Sequence, residues 1–464
     1  MLRIVLLCLI TTSLSAQSDP AGLWYGVLSV GPQKLPLIID MREQGEAWTG
    51  TLTSPAQSPN PMELTTVTVT ADSVTFTIAS FDITYRGELV ADSITGLFSQ
   101  GPFQSSLTYT REQPADYPST ESKAKPRPQD PTDFPYRRET VSFAGGADDV
   151  RIAGEITWPT DEAPRAGLVL VSGSGPQNRN EDLGPQMNHR PFLVLSDYLT
   201  RRGYAVLRYD DRGVGESTGI FSTATSADFA GDAAAAFRFL ADQLPDGVPV
   251  GLAGHSEGGL ILPLVAQMEG NIDFMVLLAA PGVPIPELMA EQRRLVGQGS
   301  SPLEPVQLAI TDYLRQHPKM EEEALRRGLT DTIIATIPGL PESVRTTITD
   351  EAAFAKPFVD AYAGPWQRYF FTYDPEPALS ALRMPVLALN GELDLQVSPA
   401  NLTAIREITA AAGNEQVTTQ LIPGVNHLFQ PATTGHPSEY AQIETTIDPK
   451  VLALIVDWLD ERYR

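Results

Sequence analysis

Cysteine is almost absent from this chain: there is one in 464 residues, Cys8, and it sits inside an apolar leader. A chain processed after that leader has no thiol, so disulfide staples and cysteine catalysis are excluded. Histidine is also scarce, with five residues (His189, His255, His317, His427 and His436), too few for a His/Cys metal cluster. Basic runs are missing, and 33 Lys and Arg stand against 57 Asp and Glu, a formal charge of -24. A nucleic-acid partner, which needs clustered positive charge, is not expected. After the leader no apolar run reaches the roughly 18 residues of a membrane span.

The leader itself, MLRIVLLCLITTSLSAQSD, has Arg3 before an apolar run from Ile4 to Ile10 and small residues at Ser15 and Ala16. That order reads as a secretory signal over residues 1–16, and so as export to the periplasm or medium. Val5-Leu6-Leu7 lacks the small residues of a lipoprotein site before Cys8, so no lipid anchor is expected.

What remains divides by rhythm. Residues 20–110 are short alternating runs rich in Val, Thr, Ile and Tyr, such as TTVTVT, SVTFTIAS and DITYRGELV, which predict a small all-β domain. Residues 111–135 hold six prolines among charged and small residues and read as a linker. Residues 136–464 alternate apolar strands (AGLVLV, YAVLRYD, VPVGLAG, DFMVLLAA, PVLALN, VTTQLI) with amphipathic helices. Strands that are apolar throughout predict a mostly parallel sheet covered on both faces, an α/β fold. Between about 282 and 382 no clear strand occurs and helical periodicity dominates, which predicts an inserted helical cap.

The pattern G-x-S-x-G occurs twice, as GESTG around Ser217 and GHSEG around Ser256. Context separates them. GHSEG follows an apolar strand and opens the helix GGLILPLVAQM, the setting of a nucleophile elbow, whereas GESTG runs on into the polar loop IFSTATS. Ser256 is therefore the candidate nucleophile. Its base is His427, in the loop QLIPGVNHLF just past a strand, with His436 as the fallback; His255 adjoins the serine on a tight turn, and His189 and His317 fall in a surface loop and the cap. NGELDLQV, past the strand PVLALN, offers Asp394 to orient the imidazole, with Glu392 as the second choice. Backbone donors to an oxyanion would be the N–H of Glu257 and one from the loop SGSGP, Ser174 or Gly175. SGSGP matches neither phosphate-cradle spacing, and no cofactor is implied. Gln177, Asn178 and Arg179 are candidates either for substrate contact or for tying down the loop, and Trp366, Tyr369 and Phe370 either for an acyl pocket or for cap packing.

GSGPQNRNED, YDDRGVGES, GHSEGG, PWQRYFFTYDP, LNGELDLQV and GVNHLF, in that order, resemble the α/β-hydrolase superfamily. They are especially similar to bacterial secreted serine esterases with an N-terminal β domain, grouped with serine aminopeptidase-like hydrolases. The resemblance implies Ser256, Asp394 and His427 as a triad, Ser174 and Glu257 at the oxyanion positions, and carboxylic ester hydrolysis of a small molecule. Where many relatives have His-Gly before the oxyanion residue, this chain has Ser172-Gly173. Two alternatives stand beside the esterase: an aminopeptidase or amide hydrolase using the same triad, and an inactive binding protein.

Overall fold

The computed structural model describes residues 19–463 apart from 31–32, 46, 56–57, 71, 79–82, 101–102, 115–126, 161–162, 297–301, 347 and 349. The leader with Cys8, and residues 115–126 of the linker, lie outside the described residues. The chain splits into two compact units, one ending at Lys123 and the other beginning at Ala124.

The first unit is an antiparallel sheet of nine strands: β1 (Gly22–Val30), β2 (Gln33–Gln44), β3 (Ala47–Ser54), β4 (Ser58–Glu63), β5 (Thr66–Val69), β6 (Ser73–Ile78), β7 (Ile83–Val90), β8 (Ser93–Gln100) and β9 (Phe103–Thr110). Their order is β4-β3-β2-β1-β9-β8-β7-β6-β5, a meander in which the last strand returns to the first. Alternation explains it: along β6 and β7 every second residue is buried, which turns Val74, Phe76, Tyr85 and Leu89 to one face with Trp24 and Tyr109. β3 and β4 were not legible as strands. β4 carries two prolines, and it is tolerated because it closes one edge of the sheet and pairs on one side only.

The second unit is built on eight strands: β10 (Arg137–Ala144), β11 (Arg151–Trp158), β12 (Gly167–Val171), β13 (Ala205–Tyr209), β14 (Val250–His255), β15 (Phe274–Leu278), β16 (Val386–Gly391) and β17 (Val417–Ile422). They lie in the order β10-β11-β13-β12-β14-β15-β16-β17. From β13 to β17 all pairings are parallel; β10 and β11 form an antiparallel hairpin added at the β13 edge. The helices are α1 (Gly184–Met187), α2 (Pro191–Thr200), α3 (Ser226–Gln243), α4 (Glu257–Met268), α5 (Ile285–Val296), α6 (Glu304–Gln316), α7 (Glu322–Thr336), α8 (Glu342–Arg345), α9 (Glu351–Tyr362), α10 (Pro365–Phe370), α11 (Glu376–Leu379), α12 (Ala400–Ala411) and α13 (Pro449–Asp460).

The inner strands β12, β14, β15 and β16 are buried along their whole length because both faces are covered. Val169, Val171, Leu252, Met275 and Leu277 point into one core with α3 and α4; Leu168, Leu170, Ala253, Val276 and Leu278 point into the other with α2 and α13. A capping box of Thr225 and Asp228 starts α3, whose Ala230, Ala233, Ala234 and Ala236 let it lie close to the sheet. Helices α5 to α11 form one insertion between β15 and β16. Val306, Ile310, Leu325, Leu329, Ile333 and Val359 give that insertion an apolar cluster of its own.

Parallel pairing has one consequence for chemistry. The register Val171↔Gly254, His255↔Leu278, Leu278↔Leu389 and Gly391↔Ile422 brings the ends of β12, β14, β15, β16 and β17 to one edge, so the loops that follow them converge there.

Candidate active site

Ser256 stands between β14 and α4 with φ 54 and ψ -117, a strained conformation for a residue with a Cβ. Its N–H donates to the Leu278 carbonyl at 2.8 Å, which pins the turn to the end of β15. The two glycines of the motif are required by crowding. A Cβ on Gly258 would stand 2.1 Å from the Val171 carbonyl oxygen, and one on Gly254 would stand 2.4 Å from the Gly258 carbonyl oxygen. Helix α4 can therefore start directly against the ends of β12 and β14.

Ser217 has no such setting. It is buried, its hydroxyl donates to the Asp210 carbonyl at 2.7 Å and accepts from the Ala153 N–H at 2.8 Å, so it fastens the loop after β13 onto β11. Ser217→Ala leaves two buried groups without a partner and is expected to cost about 1–3 kcal/mol of stability while leaving turnover per folded molecule unchanged. Denaturant titration beside a rate assay checks this; a dead but stable variant would return Ser217 to the list of nucleophiles.

His427 and Asp394 meet as the sequence suggested. The His427 Nδ1–H donates to Asp394 Oδ2 at 2.8 Å, and both residues are buried. Asp394 Oδ1 accepts from the N–H groups of Gln396 and Val397, each at 2.8 Å. With its proton at Nδ1, neutral His427 keeps its lone pair on Nε2. The loop around it is held by Asn426, whose Oδ1 accepts from Leu428 and Gln430 N–H at 3.0 Å each. No hydrogen bond joins Ser256 Oγ to His427 among the described residues; such contacts commonly tighten only with substrate. Glu392, the second choice, accepts from Gly424 N–H at 3.0 Å and ties down the turn after β17. His436 bonds to Ser438 Oγ and the Val296 carbonyl instead of a carboxylate.

The loop after β12 reaches the serine closely enough that a Cβ on Gly173 would stand 3.3 Å from Ser256 Cβ. The N–H of Gly173 is committed to Glu181 Oε1 at 2.9 Å, which leaves Ser174 and Gly175 as donors from this loop. Behind it Asp211 accepts from Gln177 N–H at 3.0 Å and from the Ser172 hydroxyl at 3.2 Å; burial pushes its carboxyl well above the usual range. Gln177 thus holds the loop's shape through its backbone, and Arg179 pairs with Asp210 at 2.6 Å and Glu216 at 2.7 Å. A cavity of about 10 Å³ lined by Gly173, Gly175, Asp211 and Glu257 has room for one water, not an acyl chain.

Glu257 provides more than a backbone N–H. Its buried carboxyl accepts from Ser226 Oγ at 2.6 Å and from Trp366 Nε1 at 2.7 Å, which fastens α10 of the insertion to the residue next to Ser256. Burial raises its pKa, against the hydrogen bonds. Trp366 stacks on Phe370 at 4.6 Å, and half-buried Tyr369 stacks on Tyr373 at 5.6 Å.

Two residues here were not anticipated as a pair. The His255 ring is buried between Glu181 Oε1, 2.8 Å from Nδ1, and the His427 carbonyl oxygen, 3.0 Å from Nε2. Burial opposes its charge, but Glu181's charge and hydrogen bond outweigh it and raise the His255 pKa. His189, expected in a surface loop, is fully buried between Thr446 Oγ1 at 2.9 Å and the Tyr440 carbonyl at 3.2 Å; burial lowers its pKa to about 4. Among the described residues no group of three or more His, Cys, Asp or Glu side chains could hold a metal ion, and no helix is long and apolar enough to cross a membrane.

Residues 190–430 match the model of the serine aminopeptidase family S33, more than half of the chain and including Ser256, Asp394 and His427. The chain belongs to that family, within the α/β hydrolases. The S33 match begins after the 172–175 loop, so the proposed second oxyanion donor lies outside it. Esterase EstD of Thermotoga maritima is 26% identical over 314 residues, covering 66% of this chain and 65% of EstD, so the chain spans slightly less than two thirds of that relative. Among solved structures, esterase Pf2001 of Pyrococcus furiosus is similar at 16% identity and a TM-score of 0.42, over 72% of this chain and 94% of that one. A proline iminopeptidase of Mycobacterium smegmatis is similar at 15% identity and a TM-score of 0.42, over 70% and 98%.

Proposed function

We propose that this S33-family chain is a serine hydrolase that cleaves carboxylic esters of small molecules through an acyl-enzyme on Ser256. The observation that carries the proposal is the strained Ser256 at the β14–α4 turn, on the same sheet edge as the buried His427–Asp394 pair.

In this reading Ser256 Oγ attacks the ester carbonyl while His427 Nε2 takes its proton, and the tetrahedral oxyanion is met by the N–H of Glu257 and that of Ser174 or Gly175. Collapse returns the proton from His427 to the leaving alkoxide. Water, deprotonated by the same nitrogen, then releases the acid. Asp394 keeps the imidazole proton at Nδ1 and stabilises the imidazolium that forms. The helical insertion would serve as a cap, with Trp366 and Tyr369 beside the acyl group, and the leader would direct export.

An aminopeptidase remains the second reading because the family carries that name. The carboxyl of Glu257, the residue after the nucleophile, is already bound to Ser226 and Trp366, which favours the ester. A substrate ammonium would need a free carboxylate instead. Initial rates on p-nitrophenyl esters are expected to exceed those on aminoacyl p-nitroanilides by about 100-fold or more in kcat/KM, in line with differential transition-state binding. Turnover of the anilides alone would replace the esterase reading by the aminopeptidase.

A further inference from the structure

We propose that His255, charged by its pairing with Glu181, is a positioning residue that holds the backbone of the catalytic base His427 against the nucleophile turn. The inference rests on the reading of Ser256 and His427 as nucleophile and base.

Both ring nitrogens of His255 face atoms that only accept. The Nδ1 neighbour is Glu181 Oε1, which also receives the Gly173 N–H, and the Nε2 neighbour is a peptide carbonyl, that of His427. A carbonyl has no proton to offer, so Nε2 must carry one, and the raised pKa of His255 beside Glu181 favours a second on Nδ1, an imidazolium. Glu181 supplies the counter-charge. Among the described residues its second oxygen, Oε2, is buried with no hydrogen-bond partner, so the side chain is held through Oε1, which His255 and the Gly173 N–H share. Glu181 itself sits at φ 51, a conformation that surrounding structure must enforce.

The pair therefore joins three loops that have no continuous chain between them. Glu181 fixes the Gly173 N–H of the oxyanion loop, His255 is covalently next to Ser256, and its Nε2–H fixes the His427 carbonyl with the two rings 4.9 Å apart. Asp394 aims the His427 ring from the Nδ1 side, and Asn426 Oδ1 holds the Leu428 N–H of the following peptide, but neither touches the His427 carbonyl. The Nε2–H bond of His255 fixes that carbonyl and ties it to the nucleophile turn. Because alignment of the base matters in the transition state and not in substrate capture, its loss falls on kcat.

Two near-isosteric replacements separate the bonds. In His255→Gln the side-chain amide nitrogen stands where Nε2 stood and can still donate to the His427 carbonyl; in His255→Asn it stands where Nδ1 stood and can reach only Glu181. Rates are counted per serine titrated with an organophosphonate, so unfolded protein does not count as slow enzyme. Where Asn gives no folded protein, His255→Met, which fills the space without a donor, takes its place. The expected result is a kcat within about 5-fold of the parent for Gln and about 50-fold lower for Asn, with KM within about 2-fold in both, the signature of lost alignment. Equal kcat in the two variants, or a loss confined to KM, with Ser256→Ala inactive, overturns this inference alone. A fully active Ser256→Ala overturns the nucleophile and this inference with it.

Discussion

Ser256→Ala is expected to lower kcat on p-nitrophenyl esters by about 10⁶-fold while leaving KM nearly unchanged, because the covalent step is removed and the remaining groups cannot replace it. The loss should equal that of His427→Ala within an order of magnitude, and the double variant should be no worse, since nucleophile and base act as a unit. The fold should survive: the Ser256 backbone, not its hydroxyl, is what ties the turn to Leu278. An organophosphonate should label the parent and Ser217→Ala but not Ser256→Ala. Labelling of Ser256→Ala at another serine would overturn the nucleophile, and equal turnover in the two proteins would overturn the acyl-enzyme.

The contrast between those two serines shows what can be read from residues alone. GHSEG was separable from GESTG because a strand and a helix flank one and a polar loop follows the other, and these are local, periodic signals. Asp394 and His427 are legible for a related reason: each follows a strand of the α/β pattern, and parallel strands deliver their loops to one edge. What the pattern hid was long-range pairing. Glu181 lies 74 residues before His255, and no periodicity connects them; the only trace is RNED shortly after SGSGP. His189 reads as part of a surface loop, yet its partners Thr446 and Tyr440 come from more than 250 residues away and bury it. In the β unit, the prolines of β4 erase the alternation that marks the other strands, and an edge position makes them harmless.

Glu257 belongs to the same group of hidden features. The sequence gives it a role only through its N–H, a property any residue at that position would share. The carboxyl proves to be the point where α10 is fastened to the nucleophile helix, through Trp366. The helical insertion is thus linked to the residue beside Ser256 by a part-buried hydrogen bond to its carboxyl, and the apolar cluster of α6, α7 and α9 stands as a separate core.

Asp394→Asn is the second large effect, and the hydrogen bonds around the carboxylate decide its direction. Oδ1 accepts from two backbone N–H groups, Gln396 and Val397, at 2.8 Å each, so the carbonyl oxygen of an asparagine must take that place. Its NH₂ then falls where Oδ2 was, 2.8 Å from His427 Nδ1. Two donors cannot face each other, so His427 moves its proton to Nε2 and offers its lone pair to the amide. The nitrogen that should accept the Ser256 proton now carries one. The volume is unchanged and the backbone bonds persist, so folding is expected to be preserved while kcat falls by about 10⁴-fold, the cost of a wrong tautomer in a serine triad. Nitrogen-15 spectra of the histidine ring should show the His427 proton at Nδ1 in the parent and at Nε2 in the variant. A variant with the proton at Nε2 and undiminished kcat would remove His427 Nε2 from the role of base, and with it the whole arrangement proposed for Ser256.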